Sequence, residues 1–256
     1  MAAQRECNFY FRRFLDRYLA TFFPWRGRTI LIVPFLTPIE IIRMSAVLSD
    51  EPAAPLQGAC PVDGMRADAA APLPDDFPGA WNGTDDLWVF AYGSLIWRPG
   101  FAWQERRLAS IHGYHRSLCL WSRHHRGSDQ APGLVFGLDR GGCCRGVVFR
   151  IAAADVPVTV RALWEREMIG GAYTPRWLTC HSEQGPVSGL AFLLNRACAD
   201  YAGDVAEERR LDIIRTAVGR SGACLEYVLE TERALRAHGI SDCRLGELVR
   251  RLLPAF

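Results

Sequence analysis

Residues 87–99 read Leu-Trp-Val-Phe-Ala-Tyr-Gly-Ser-Leu-Ile-Trp-Arg-Pro, and they predict a buried strand that ends abruptly. The apolar run over 87–92 stops at Gly93-Ser94, and Arg98-Pro99 then prevents the strand from resuming. Glycine lets backbone N–H groups turn outward, so this strand end can present several donors to an anion. A carboxylate or a developing oxyanion would suit such a site. The alternative is a tight turn that only caps a core strand.

The composition indicates a globular protein and excludes several kinds of chemistry. Of the 256 residues 49% are apolar and 23% are charged, and the net charge of +2 gives no reason to expect nucleic acid or a membrane as a partner. The sequence contains no lysine, so all 30 basic residues are arginine. This excludes Schiff-base lysine chemistry, a phosphate-binding P-loop lysine and a Ser-Lys nucleophile pair.

The cysteines and histidines do not form a metal-binding pattern. The nine cysteines include no Cys-x-x-Cys pair, and Cys143 and Cys144 are adjacent. His124 and His125 are adjacent too, and neighbours on a strand point to opposite faces. We therefore expect no metal, and the simplest account of the thiols is a reduced, cytoplasmic protein.

Three regions differ in character. Residues 1–43 are rich in aromatic residues and arginine, and their apolar run is too short to span a bilayer. Residues 44–84 hold six of the 15 prolines and predict a disordered linker, and residues 85–256 predict a compact domain. Met44 is a plausible translation start, so we interpret residues 1–43 as a mis-assigned extension. The alternative is that these residues are a targeting or membrane-surface segment.

Strands come first in the predicted domain, and most helices come last. Apolar and alternating patterns predict strands over 87–92, 107–121, 133–138, 145–151, 176–182 and 187–194. One helix is predicted among them at 155–168, and about three more after residue 204, the clearest at 206–218 and 223–238. This order predicts an α+β fold, a small β-barrel or curved mixed sheet with flanking helices. There is no GxGxxG turn or regular βαβ alternation, which excludes a dinucleotide-binding fold.

The predicted helix over 155–168 places a carboxylate on its apolar face. Asp155 suits the N-cap position, Pro157 suits the first turn, and Gly170-Gly171 ends the helix. The apolar stripe of this helix consists of Val156, Val160 and Leu163. The next position on the same face is Glu167, whereas Glu165 lies on the opposite, solvated side.

Two circumstances disfavour the negative charge of Glu167. Burial raises the pKa of a carboxyl group, and the C-terminal end of a helix is itself negative. A glutamate held this way is suited to taking and returning a proton near neutral pH. The alternative is a structural ion pair with a nearby arginine, Arg166 or Arg176.

The Tyr-Gly-Ser-Leu turn and Glu167 together point to a known family. The domain resembles the ChaC-type γ-glutamylcyclotransferases over most of residues 85–253. Besides residues 89–99, the matching segments are Leu-Trp-Ser-Arg-His-His-Arg-Gly at 120–127, Gly-Leu-Asp-Arg-Gly-Gly-Cys-Cys-Arg-Gly-Val at 137–147, Leu-Trp-Glu-Arg-Glu-Met-Ile-Gly-Gly-Ala-Tyr-Thr-Pro-Arg-Trp at 163–177, Asp-Tyr-Ala-Gly at 200–203 and Gly-Arg-Ser-Gly-Ala-Cys-Leu-Glu-Tyr at 219–227. The resemblance depends on how many of these segments match and on their order along the chain. Residues 1–84 do not resemble that family.

The resemblance implies a small β-barrel with flanking helices and the cleavage of glutathione into 5-oxoproline and cysteinylglycine, with no cofactor and no obligatory protein partner. It implies that Glu167 is catalytic and that Tyr201 lies near the substrate. We expect an arginine to bind the glycine carboxylate of glutathione, and Arg123 and Arg126 are the candidates. The loop that holds the γ-glutamyl group would consist of Tyr92, Gly93, Ser94 and Leu95. The alternatives are a cyclotransferase for other γ-glutamyl amines or amino acids, and a non-catalytic regulatory relative.

Overall fold

The computed structural model describes residues 21–25, 28–32, 72–79 and 81–253. The chain divides into two units, residues 1–58 and 59–256. In the first unit, strands β1 (Thr21–Trp25) and β2 (Arg28–Ile32) form an antiparallel pair. The interpretation of the rest of 1–43, and of the predicted linker up to residue 71, lies outside the described residues.

A closed five-stranded barrel forms the centre of the second unit and confirms the predicted α+β class. The strand order is β3-β5-β4-β6-β7, and a short parallel pairing of β7 with β3 closes the ring of antiparallel pairs. Strand β3 reads as an uninterrupted apolar run because it lies between two neighbouring strands and is buried almost throughout. The strands are β3 (Leu87–Ala91), β4 (Glu105–Ser122), β5 (Gly133–Ile151), β6 (Tyr173–Ser182) and β7 (Gly185–Leu194).

The two strands predicted over 133–138 and 145–151 are one continuous strand, β5, so that prediction is wrong. The glycines between them do not end the strand, since they form an irregularity in its ladder with β4. Gly141 and Gly142 have φ angles of 94° and 77°, and the register with β4 shifts opposite them, between His112 and Tyr114. A bulge of this kind bends a strand and lets it continue.

Among the described residues, four helices lie around the barrel at positions close to those predicted. The helices are α1 (Val156–Glu167), α2 (Glu207–Thr216), α3 (Cys224–Ala237) and α4 (Cys243–Leu252). A short hairpin, β8 (Val218–Gly219) and β9 (Gly222–Ala223), connects α2 to α3. Helix α3 packs against β5 and against the 3₁₀ turn Ser94–Ile96 that follows β3, which brings two distant parts of the chain together. Within the described residues, no helix combines the length and the apolar character needed to cross a membrane.

Residues 72–79 pack against the barrel domain, which therefore begins before Asp85, where the sequence analysis placed its start. The ring of Phe77 lies 5.5 Å from that of Trp164 and 6.0 Å from that of Trp177. The Trp164 indole N–H donates to Asp76 Oδ1 at 2.6 Å. Two aromatic contacts and a partly buried hydrogen bond favour an ordered conformation over a disordered linker at this point.

Candidate active site

The turn after β3 is anchored to the core from both sides. The Tyr92 hydroxyl donates to the carbonyl of Phe192 at 3.0 Å, and the Tyr92 carbonyl accepts from Nε of buried Arg116. The Arg116 guanidinium also donates to the carbonyl of Arg145 at 2.6 Å and pairs with Asp242 at the start of α4. The turn is thus a preorganised part of the structure.

Gly93 lies where this turn packs against Tyr227 and Phe136. Its φ and ψ angles are −129° and −130°, which lie outside the helical and the extended regions. A Cβ atom at this position would lie 3.4 Å from the Tyr227 hydroxyl oxygen and 3.7 Å from Phe136 Cβ. In the following turn the first internal hydrogen bond runs from Ile96 N–H to the Gly93 carbonyl at 3.0 Å. The amides of Ser94 and Leu95 precede that bond and have no acceptor within the turn.

Glu167 lies at the C-terminal end of α1, where the helical periodicity predicted it. The stripe residues Val156, Val160 and Leu163 are buried, the Glu167 side chain is 14% exposed, and Glu165 is exposed. Asp155 occupies the N-cap position, but its side chain makes no capping hydrogen bond, so the predicted cap is only positional. The helix ends where expected, with φ angles of 74° and 66° at Gly170 and Gly171.

Arg166 links Glu167 to the Tyr-Gly-Ser-Leu turn. Its Nε lies 3.1 Å from Glu167 Oε1, and its Nη2 donates to Ser94 Oγ at 2.9 Å. Its Nη1 donates to the Arg98 carbonyl at 2.7 Å. Of the two arginines considered as partners of Glu167, Arg166 forms the pair, whereas Arg176 lies exposed on β6.

The pKa of Glu167 is raised above its ordinary value. Burial is the largest cause, and the Arg166 guanidinium opposes it without cancelling it. A carboxyl group in this position exchanges a proton closer to neutral pH than an exposed glutamate does.

Three tyrosines lie around the carboxylate: Tyr92 and Tyr227 are buried, and Tyr173 is partly buried. Burial is the largest cause that raises the pKa of each, and the charge of Glu167 raises all three further, so they are neutral at physiological pH. The Tyr173 hydroxyl donates to the Phe136 carbonyl at 2.9 Å, and the Phe136 N–H donates to the Tyr227 oxygen at 3.0 Å. Because the Tyr227 oxygen acts as an acceptor there, its own proton is available for donation into the site.

Two connected cavities meet at Glu167. The inner one has a volume of about 20 Å³ and is bounded by the turn 92–95, so it has room for one water-sized group. The outer cleft has a volume of about 500 Å³, which is within the range of small-molecule sites. The residues that line both are Ser94, Glu167, Tyr173 and Tyr227.

Arg123 and Arg126 both line the outer cleft, but their guanidinium groups already have partners. Arg123 Nε donates to Asp200 Oδ1 at 3.0 Å. Arg126 is buried, pairs with Glu226 at 3.2 Å and donates to the Ala223 carbonyl at 3.3 Å. These contacts indicate that Arg126 stabilises the wall of the cleft.

Tyr201 does not line either cavity, so the structure does not support its expected place near the substrate. Its backbone forms an isolated bridge with Leu120, and its ring lies 5.8 Å from the guanidinium of Arg196, which binds Asp139. The aromatic residues that do reach Glu167, Tyr173 and Tyr227, were not singled out in the sequence analysis. A signal for both was present, because each lies within a segment that carries the family resemblance.

No group of three or more His, Cys, Asp or Glu side chains is placed to hold a metal ion in the parts of the chain that the structure describes. The cysteines there all carry free thiols.

The combination of the Tyr-Gly-Ser-Leu turn with a buried glutamate has counterparts among known proteins. A family model described as ChaC-like protein matches residues 87–253. The chain belongs to the ChaC-like family. This confirms the resemblance inferred from the sequence, and the matched residues include the barrel and all four helices.

Several curated relatives carry the name glutathione-specific γ-glutamylcyclotransferase. The glutathione-specific γ-glutamylcyclotransferase of Escherichia coli strain K12 is 31% identical over 171 residues, which cover 65% of this chain and 74% of that protein. The human glutathione-specific γ-glutamylcyclotransferase 1 is 34% identical over 197 residues, which cover 73% of this chain and 89% of that protein. A crystal structure of a yeast γ-glutamylcyclotransferase specific to glutathione superposes with a TM-score of 0.62 at 21% identity, covering 66% of this chain and 96% of the yeast chain. That likeness shows the shared fold.

Proposed function

We propose that this chain is a glutathione-specific γ-glutamylcyclotransferase, which cleaves glutathione into 5-oxoproline and cysteinylglycine. The observation that carries the proposal is the place of Glu167: a buried carboxyl group with a raised pKa lies where the inner pocket meets the cleft. Curated relatives from a bacterium and from mammals are named for this activity.

The reaction is an intramolecular substitution. The α-amine of the γ-glutamyl group attacks the carbon of its own γ-amide, one C–N bond forms, and the C–N bond to cysteine breaks. No water is consumed, because the attacking amine replaces the leaving amine. Correct orientation of the two reacting groups can lower the barrier by roughly 7–11 kcal/mol, so holding the substrate in a folded conformation is the main task of the site.

Glu167 supplies the proton transfers. Its carboxylate takes a proton from the substrate ammonium group, which makes the amine nucleophilic, and the protonated carboxyl then delivers this proton to the departing nitrogen. The attacking nitrogen loses its second proton as the lactam forms, and the same carboxylate passes that proton to the released amine. General acid–base catalysis of this kind contributes about 10²–10⁴-fold in rate. A raised pKa suits both steps, since the group must accept a proton and later release it.

The turn after β3 supplies neutral donors for the negative charges of the substrate. The amides of Ser94 and Leu95 and the proton of Tyr227 can donate to the α-carboxylate or to the carbonyl oxygen as it gains charge. We assign the γ-glutamyl group to Tyr92, Gly93, Ser94 and Leu95 on this basis. No step requires a cofactor, a metal or a lysine.

The proposal includes a cytoplasmic location and glutathione as the only required partner. Free thiols throughout the described residues are compatible with a reducing compartment. A net charge of +2 offers no general attraction to nucleic acid or to an anionic membrane.

A substrate comparison tests the proposal. Purified full-length protein is incubated with glutathione and, separately, with γ-glutamylalanine, and 5-oxoproline and the released amine are measured. We expect 5-oxoproline and cysteinylglycine in equal amounts from glutathione, and much less product from γ-glutamylalanine. Preference for γ-glutamylalanine would instead identify a cyclotransferase for γ-glutamyl amino acids. Binding of glutathione without turnover would identify a non-catalytic relative.

A further inference from the structure

The arginines that line the outer cleft differ in how their charges are compensated. In three of them a guanidinium nitrogen lies within 3.2 Å of a carboxylate oxygen, whose negative charge offsets part of the positive charge that a ligand would meet. The pairs are Arg123 with Asp200, Arg126 with Glu226 and Arg166 with Glu167.

Arg220 has a neutral partner instead. Its Nη2 lies 3.3 Å from Nε2 of His125, whose Nδ1 lies 2.9 Å from the Ser221 hydroxyl. A guanidinium group can only donate, so Nε2 is the acceptor and the ring proton is on Nδ1. Burial and then the neighbouring Arg220 lower the pKa of His125, which keeps the ring neutral at physiological pH. His125 therefore orients the Arg220 guanidinium without offsetting its positive charge, which remains available to a ligand.

The backbone holds Arg220 firmly at the rim of the cleft. It lies in the tight turn between β8 and β9, where its N–H donates to the His124 carbonyl at 2.9 Å. The next amide, of Ser221, donates to the His125 carbonyl at 3.0 Å. Gly219 permits this close approach, since a Cβ atom there would lie 2.5 Å from the His125 carbonyl oxygen. The backbone of Arg220 is thus fixed before any ligand binds, which reduces the entropic cost of binding.

Glutathione needs a cation in the cleft, some distance from Glu167. With the scissile amide at Glu167, the glycine carboxylate lies two residues further along, up to roughly 7 Å away when extended. Its partner must therefore line the outer cleft and not the inner pocket. Arg220 meets that condition and its guanidinium is oriented by His125, whereas the two arginines suggested by the sequence, Arg123 and Arg126, are already paired. Arg98 lines the same cleft, so its variant serves as the comparison in the test below.

We propose that Arg220, oriented by His125, binds the C-terminal carboxylate of the tripeptide and thereby sets the preference of the site for glutathione. This rests on the proposed function. The residue is a specificity determinant and takes no part in bond making. An arginine fork matches a carboxylate in two parallel hydrogen bonds, so both charge and geometry contribute to recognition.

The test compares glutathione with its C-terminal amide, which has nearly the same shape but lacks the carboxylate charge. For the wild-type protein we expect kcat/KM to be about 10–100-fold higher for glutathione than for the amide, mainly through KM. In R220Q that ratio should fall to near one, because kcat/KM drops far more for glutathione than for the amide, and a kcat for the amide close to the wild-type value shows that the fold is intact. H125A should lower the ratio partially, with kcat unchanged. The matched variant R98Q removes another exposed arginine of the same cleft and should keep most of the preference.

The outcomes separate this inference from the proposed function. If the wild-type protein turns over neither compound, the proposed function fails. If it turns over glutathione but accepts the amide equally well, only the role of Arg220 is overturned. The same conclusion follows if R220Q keeps the preference, or if R98Q loses it to the same extent.

Discussion

Replacement of Glu167 by glutamine removes one chemical property of the site and leaves most others in place. Glutamine has nearly the same volume, keeps an oxygen acceptor toward Arg166, and preserves the packing at the end of α1. The turn 92–95 and the surrounding tyrosines are untouched. The loss is therefore confined to proton transfer, and we expect kcat to fall by about 10²–10⁴-fold, or about 3–5 kcal/mol in the barrier, with little change in KM.

The same variant should become more stable at neutral pH. The folded-state pKa of Glu167 lies above its ordinary value of 4.5, so below that value the carboxyl is neutral in both folded and unfolded chains. As the pH rises from there through the folded pKa, the unfolded chain ionises first and the wild-type protein loses stability. E167Q has no such loss, because it has nothing to ionise. We expect equal melting temperatures near pH 4 and a higher one for E167Q near pH 7.

Two measurements check this reasoning: 5-oxoproline release from glutathione at pH 7, and thermal unfolding of both proteins between pH 4 and pH 8. E165Q, at an exposed position on the opposite side of the same helix, is the matched control and should change neither. Activity within a factor of three of wild type in E167Q would refute the assignment of Glu167 as the base. A melting temperature of E167Q below that of wild type at pH 7 would show that the ion pair with Arg166 outweighs burial.

Three further variants probe the turn and the barrel. Y227F leaves the buried Phe136 N–H without its acceptor, so the free energy of unfolding measured in urea should fall by about 1–3 kcal/mol. It also removes a donor from the site, so kcat should fall roughly 10²-fold. Wild-type turnover would argue against Tyr227 as a donor. G146A puts a Cβ atom 2.3 Å from the Ala91 carbonyl oxygen, so the free energy of unfolding should drop by about 3 kcal/mol or more; an unchanged urea midpoint would contradict that clash. S94A keeps the backbone amides of the turn, so kcat/KM for glutathione should fall less than about tenfold; a far larger loss would show that the hydroxyl itself is used.

Local patterns predicted the part of the site that depends on one helix. The position of Glu167 follows from the spacing of Val160 and Leu163, and the structure places it at the edge of the core as that spacing requires. The end of β3 at the Tyr-Gly-Ser-Leu turn could likewise be predicted from neighbouring residues alone. The continuity of β5 could not, because whether Gly141 and Gly142 end a strand or form a bulge depends on the partner strand β4.

The tyrosines around Glu167 depend on contacts that no local pattern contains. Tyr227 comes 60 residues after the glutamate and reaches it only because α3 packs against β5 and the turn after β3. Tyr173 begins a strand of the barrel, so its position depends on how the barrel closes. Tyr201 illustrates the converse: its segment matches the family, yet its ring contacts Arg196 outside the cavities.

The ion pair and the general base, posed as alternatives for Glu167, are compatible. A purely structural pair would hold the carboxylate ionised and lower its pKa, but burial outweighs Arg166 and the pKa is raised. Arg166 also donates to Ser94 Oγ and to the Arg98 carbonyl, so it fixes the distance between Glu167, the proposed base, and the turn after β3. Its contact therefore orients the Glu167 carboxylate while leaving it able to take up a proton, which is the combination that the proposed reversible proton transfer requires.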